Sequence, residues 1–197
     1  VNASYPPGKK RRIAASGNYQ ADAPWTGIEY TVASLLIDYG LVSEGLALVR
    51  DIHDRYLRAG RFWSHVECGS HYYRAMSSWS VMLALSGFRW DQPTGTLTFA
   101  PAIDEPLSQF PFFCGIAWGN YYQCCSLGNR LAMVQLEAGE LTVSHLHLPR
   151  LSGFEEPRVA VGDRLVRCRT KRLEAGIAID FASTITLTPD NPLLVTA

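Results

Sequence analysis

A chain of 197 residues with 47% hydrophobic and 18% charged side chains has the apolar content to bury a core, so compositional disorder is excluded. The 18 Lys and Arg are offset by 18 Asp and Glu, which leaves no basic field for a polyanion, and no nucleic-acid partner is expected. No stretch approaches the roughly 20 continuous apolar residues of a spanning helix, so no membrane span is expected either.

The chain begins at Val1, as a processed chain or a piece of a longer protein would, and its N-terminus lacks the hydrophobic segment of a secretory leader. One basic run, Lys9 to Arg12, follows Pro6-Pro7-Gly8 and reads as a solvated surface run. Apolar residues then recur at helical spacing: Ile28, Val32, Leu35, Leu36 and Tyr39 line one face. Asp22 or Thr26 is a candidate cap and Gly40 a stop signal. A second helix is expected after Ser43, an N-cap candidate followed by Glu44. Its buried side would be Val42, Leu46, Val49, Ile52 and Tyr56. The short link around Gly40 makes the pair an αα-hairpin.

A loop over 59–69 follows, holding Arg61, Trp63, His65 and Glu67. The third helix is expected from near Ser70 to Gly87. Tyr72, Met76, Trp79 and Leu83 form one apolar side and Ala75, Met82 and Leu85 another, so burial nearly all round is expected. Beyond residue 90 the signals are those of strands. Residues 96–99 alternate between Gly95 and Pro101. Residues 131–136 and 141–148, joined by Glu137-Ala138-Gly139-Glu140, read as a β-hairpin. Residues 159–161 and 165–168, around Gly162-Asp163, read as another, and 176–181 and 184–187 as two more short strands. The expected fold is α+β, helical hairpins over 1–100 followed by a small antiparallel β region over 101–197.

The chemistry concentrates in the loop and the start of the third helix. Glu67, His71 and Arg74 lie within eight residues, with Trp63, Tyr72, Tyr73 and Trp79 around them. A helix N-terminus offers free N–H groups and a positive dipole end, which favours a carboxylate there. A carboxylate and a guanidinium together can hold two neighbouring sugar hydroxyls, and Trp63 and Tyr72 can pack on the apolar face of a ring. The competing reading is an internal Glu–Arg pair that ties loop to helix. The cluster alone does not decide between them.

A resemblance bears on that choice. The run Glu67-Cys68-Gly69-Ser70-His71-Tyr72-Tyr73-Arg74-Ala75-Met76-Ser77-Ser78-Trp79, then Leu83-Ala84-Leu85-Ser86-Gly87-Phe88 and Gly95-Thr96-Leu97-Thr98-Phe99-Ala100-Pro101, resembles the last helical part of glycoside hydrolase family 116. That family includes bacterial and archaeal β-glucosidases and non-lysosomal glucosylceramidases. Gly27-Ile28-Glu29-Tyr30-Thr31-Val32, with Gly40-Leu41-Val42 and Glu44-Gly45-Leu46, is similar to its preceding helices. The resemblance runs from about Trp25 to Pro101. It implies the C-terminal helical hairpins of an (α/α)6 barrel, and a β-glycoside or glucose-like sugar as partner. It matches Glu67 and Arg74 to a Glu and an Arg that hydrogen-bond the sugar, with His71, Tyr72 and Trp63 in the same motif. Trp63-Ser64-His65 departs from the Trp-Asn-Glu of close relatives.

The family's retaining mechanism needs a Glu nucleophile and an Asp acid/base about 5–5.5 Å apart. Neither motif occurs here. Asp22, Glu29, Asp38 and Asp51 read as solvated charges, so no catalytic residue is assigned. The expectation is a C-terminal portion of a retaining β-glycosidase, inactive alone, with its catalytic carboxylates upstream. The alternative is a noncatalytic carbohydrate-binding or scaffold module.

Five cysteines, Cys68, Cys114, Cys124, Cys125 and Cys168, include no C-x-x-C spacing. Reduced thiols and a cytoplasmic location are expected. His145 and His147, two apart on a strand, share a face, but no third ligand accompanies them, so no metal is assigned and no cofactor is implied.

Overall fold

A computed structural model describes residues 24–62, 67, 74–103, 105–126, 129–149 and 156–197. The chain divides into two compact units between Ala84 and Leu85.

The first unit is built on a helical hairpin. Helix α1 spans Thr26–Asp38 and α2 spans Val42–Arg58. The turn between them is set by Gly40, whose φ of 82° suits a residue without Cβ. Gly40 donates its N–H to the Ile37 carbonyl and Leu41 to that of Leu36, both at 2.9 Å. This is the Schellman pattern that satisfies the last carbonyls of a helix. Neither helix starts where a side-chain cap was expected. Trp25 and Leu41 occupy the capping positions and give no side-chain cap bond, and Asp22 lies outside the described residues.

The expected apolar face of α1 is turned outward. Ile28 and Val32 are exposed, as are Leu35 at 54% and Tyr39 at 80%. The buried face is Thr26, Gly27, Ala33, Ser34 and Ile37. Small side chains let the two backbones approach closely: a Cβ added at Gly45 of α2 would come within 2.6 Å of Ile37. On α2, Ile52 and Tyr56 are buried as expected, together with Gly45.

The third helix is shorter than expected. A 3₁₀ turn over Ala75–Ser78 leads into α3, Trp79–Ser86. Ser77, Ser78 and Ser80 each bond a carbonyl three residues back, and this local bonding competes with regular helix geometry. Gly87 ends the helix with φ 57°. Val81 and Ala84 are buried, whereas Met76, Trp79 and Leu83 are exposed, so α3 is not buried all round. Its expected start at Ser70 lies outside the described residues.

The second unit consists of two sheets. One has five strands in the order β1-β2-β6-β10-β9: Arg89–Asp91, Thr96–Thr98, Leu141–Leu148, Ile177–Leu187 and Cys168–Arg172. The other has six, β3-β4-β5-β11-β7-β8: Leu107–Phe113, Ala117–Ser126, Asn129–Gly139, Leu193–Thr196, Arg158–Val161 and Arg164–Leu165. Strand pairs are antiparallel except β2 with β6. One core draws on both sheets, with Leu97, Phe99, Leu146 and Ile179 from the first and Phe112, Tyr121, Leu136 and Leu193 from the second. Phe99 lies at its centre, stacked on Tyr121 at 4.2 Å between ring centroids and edge-on to Phe112 at 5.4 Å.

These sheets correct the expected fold class. Among the described residues three short helices stand beside eleven strands, so the chain is mostly β. One hairpin and one eight-residue helix do not make the helical hairpins of an (α/α)6 barrel. The β region is neither small nor wholly antiparallel. The expected hairpin of 131–148 is also corrected. Strand β5 pairs with β4 and β11, and β6 pairs with β2 and β10, so the chain changes sheet at Gly139-Glu140. Gly139, at φ 84°, turns the chain out of one sheet and into the other. Strands β7 and β8 do pair around Gly162-Asp163, whereas Cys168 belongs to the other sheet. The two short strands expected after residue 176 are one strand, β10, irregular between Asp180 and Ile185.

Among the described residues no helix is long and apolar enough to cross a membrane, which says nothing of strands.

Truncating Phe99 to Ala removes a ring that is 1% exposed and touches three others, Phe88, Phe112 and Tyr121. Urea unfolding followed by circular dichroism should show a loss of about 3–5 kcal/mol. A loss below about 1 kcal/mol would place the core elsewhere.

Candidate functional site

Of the five residues singled out in the sequence, Glu67 and Arg74 are described, and Trp63, His71 and Tyr72 lie outside the described residues. The structure brings Glu67 and Arg74 together at the start of α1. One carboxylate oxygen of Glu67, Oε1, accepts from Arg74 Nη1 at 2.5 Å. The other, Oε2, accepts the N–H of Gly27 at 3.0 Å. Gly27 stands in the first turn of α1, where backbone N–H groups have no partner within the helix. The carboxylate thus does what an absent side-chain cap would do, and it sits where the helix dipole favours negative charge.

The glycine is needed for this approach. A Cβ at position 27 would lie 2.7 Å from Arg74 Cβ and 2.8 Å from its Cδ. The stem of Arg74 therefore runs directly over the α1 backbone, and its guanidinium lies 5.5 Å from the centre of the Trp25 ring, in cation–π range. The Glu67 side chain is 0% exposed, whereas that of Arg74 is 39% exposed. The pair thus has a closed end and an open one. A carboxylate with no surface and both oxygens engaged cannot take a proton from an external substrate. Its chemistry here is to fix Arg74.

A second ion pair flanks the same helix. Arg55 of α2 grips Glu29 with both terminal nitrogens, Nη1 donating to Oε1 at 2.9 Å and Nη2 to Oε2. The bond to Glu29 holds the Arg55 pKa above its ordinary value. This corrects the reading of Glu29 as a solvated charge. Asp38 and Asp51 are exposed, and Asp22 lies outside the described residues. Thr26 Oγ1 and the Tyr56 hydroxyl share a buried hydrogen bond at 2.5 Å, which ties the first turn of α1 to α2. Sequence reasoning offered Thr26 only as a helix cap and gave Gly27 and Arg55 no part in the site. Helical spacing offered one signal, since Thr26 and Glu29 fall in a first turn that lacks a good cap.

In the other unit, His145 Nδ1 lies 2.6 Å from Asp180 Oδ1, directly across the β6–β10 ladder. Among the described residues no group of three His, Cys, Asp or Glu is arranged to hold a metal. Cys114 donates its thiol to the Ala117 carbonyl at 3.1 Å. Burial pushes the thiols of Cys114 and Cys168 above their ordinary pKa, which keeps them protonated and slow as nucleophiles.

No protein-family model matches this chain, and no curated protein matches it. Among solved structures, an α-L-rhamnosidase from Dictyoglumus thermophilum is similar over 64% of this chain, with 14% sequence identity and a TM-score of 0.37. The chain covers 14% of that enzyme. A likeness of this size fixes neither fold nor activity.

Two predictions follow from the geometry at α1. Gly27→Ala should displace Arg74 and destabilise the hairpin by about 1–3 kcal/mol, read by thermal melting. Unchanged melting would show that Arg74 does not pack on that backbone. The Tyr30 phenol is raised above its ordinary pKa, first by burial and then by Tyr56. Ionising it is therefore harder in the folded than in the unfolded chain. Its contribution to stability is full below about pH 10 and is lost as the pH rises further. Tyr30→Phe should flatten the fall in melting temperature between about pH 9.5 and 11. An unaltered slope would refute the assignment.

Proposed function

We propose that this chain is the C-terminal, sugar-holding portion of a retaining β-glycosidase resembling glycoside hydrolase family 116. The supporting observation is the Glu67–Arg74 pair. The resemblance matches both residues to groups that hydrogen-bond the sugar; here Glu67 is sealed with both oxygens engaged, and of the pair only the Arg74 guanidinium reaches the surface. In this reading Arg74 contacts a hydroxyl of a glucose-like ring. Glu67 orients it, and Trp25 beneath the guanidinium offers the apolar surface on which such rings pack. Preorganisation of this kind lowers the cost of ordering a long side chain when a ligand arrives.

The reaction itself belongs to carboxylates outside this chain. Glu67 and Glu29 are each locked to an arginine, and a retaining mechanism needs one carboxylate free to attack and another free to donate a proton. Trp63, His71 and Tyr72 complete the proposed sugar-holding set by resemblance.

Two measurements test this reading. The isolated 197-residue chain should not hydrolyse an aryl β-glucoside, and turnover at the rate of a complete glycosidase would overturn the proposal. In the full-length protein, Arg74→Gln should weaken a glucose-mimicking iminosugar by about 1.5–3 kcal/mol, the range for a hydrogen bond to a charged group. Unchanged inhibitor affinity would remove Arg74 from the site.

A further inference from the structure

The two-sheet unit contains a cleft of about 820 Å³, inside the roughly 300–1,000 Å³ range of small-molecule sites. It opens where two irregularities coincide. Strand β10 loses its register with β6 between Asp180 and Ile185, so residues 181–184 leave the β6 ladder, as a bulge does, while Phe181 still pairs with Cys168 of β9. Opposite them the chain passes from β8 in one sheet to β9 in the other through Val166 and Arg167. The Ala182 N–H donates to the Arg167 carbonyl at 3.0 Å, which holds the two segments together at that point.

The lining has two parts. Val161, Val166 and Ile185 give an apolar floor, and Arg164, Arg167, Asp163, Ser183 and Asn191 give a polar rim. Arg164 and Arg167 are exposed, and neither guanidinium has a hydrogen bond or ion pair among the described residues. Asn191 is held by donating Nδ2 to Thr188 Oγ1 at 3.1 Å, with its side-chain oxygen over Gly162. Beyond the cleft, β9 adds Arg169, Lys171 and Arg172, all exposed, so the approach carries positive potential.

We propose that this cleft binds a carboxylate-bearing sugar, a uronate, and that Arg164 and Arg167 are its anchors. Guanidinium groups present a planar fork of donors that matches a carboxylate. Asp163, Ser183 and Asn191 supply the mixed donors and acceptors that ring hydroxyls need. The apolar floor accepts the C–H face of the ring. A neutral sugar would leave both guanidiniums without a partner. A simple inorganic anion would leave the floor and the hydroxyl partners unused. The cleft is lined by residues of the two-sheet unit alone and does not depend on the function proposed for Glu67 and Arg74.

The test uses the full chain, titrated calorimetrically with a trimer of galacturonate, its methyl ester and inorganic sulfate. The trimer should bind, and its ester, which keeps the ring but not the charge, should bind about tenfold more weakly or not at all. Arg164→Gln and Arg167→Gln should each weaken the trimer by about tenfold. Both side chains are exposed, so folding should be unaffected, which circular dichroism checks. Arg172→Gln, outside the cleft, should alter affinity by less than about threefold at roughly 0.15 M salt. Equal binding of ester and trimer would overturn the proposal, as would no binding at millimolar trimer. So would sulfate binding as tightly as the trimer, or an Arg172→Gln loss as large as those of the cleft variants.

Discussion

The carboxylate of Glu67 holds together the start of α1 and the side chain of Arg74. It meets two requirements at once: the first-turn N–H of Gly27 needs an acceptor, and the guanidinium of Arg74 needs a counter-charge. Burial makes both bonds stronger and makes their loss costly, because a buried charge without its partners has no water to turn to. The rest of the hairpin is arranged around this point. Thr26 binds Tyr56 one residue before Gly27, and Glu29 binds Arg55 two residues after it. The first turn of α1 is therefore fixed from two sides by polar contacts, while its later turns are fixed by the small apolar face of Ala33 and Ile37.

The two-sheet unit follows a different logic. Its stability comes from apolar side chains that alternate along long strands and meet in one core. What positions its cleft is a departure from that regularity. Where β10 leaves its ladder the core has no continuous cover, and the short strand β8 gives little in its place. Regular pairing makes the scaffold, and interrupted pairing makes the opening.

The sequence showed what is local and missed what is not. The turn at Gly40 and the helix stop at Gly87 were legible because each is decided by a few neighbouring residues. The alternation of 131–136 and 141–148 was legible as strand, but it is the same whether the two strands pair or part, and here they part at Gly139. The buried face of α1 was misjudged because that helix is apolar around most of its circumference. The choice of face then rests on which side admits a second backbone, and Gly45 admits it on the small side. The Glu67–Arg74 juxtaposition was expected from spacing and resemblance. Its third member, the Gly27 N–H, was not, because forty residues separate it from the carboxylate. The fold class was misread for the same reason: eleven strands gain their weight from distant partners, which spacing along the chain does not reveal.

The outward row of Ile28, Val32, Leu35 and Tyr39 on α1 bears on how this molecule behaves in bulk solution. The chain has a formal net charge of zero at pH 7, so molecules that collide near neutrality feel no net repulsion. A greasy ridge with nothing electrostatic to keep copies apart sets a solubility minimum close to physiological pH.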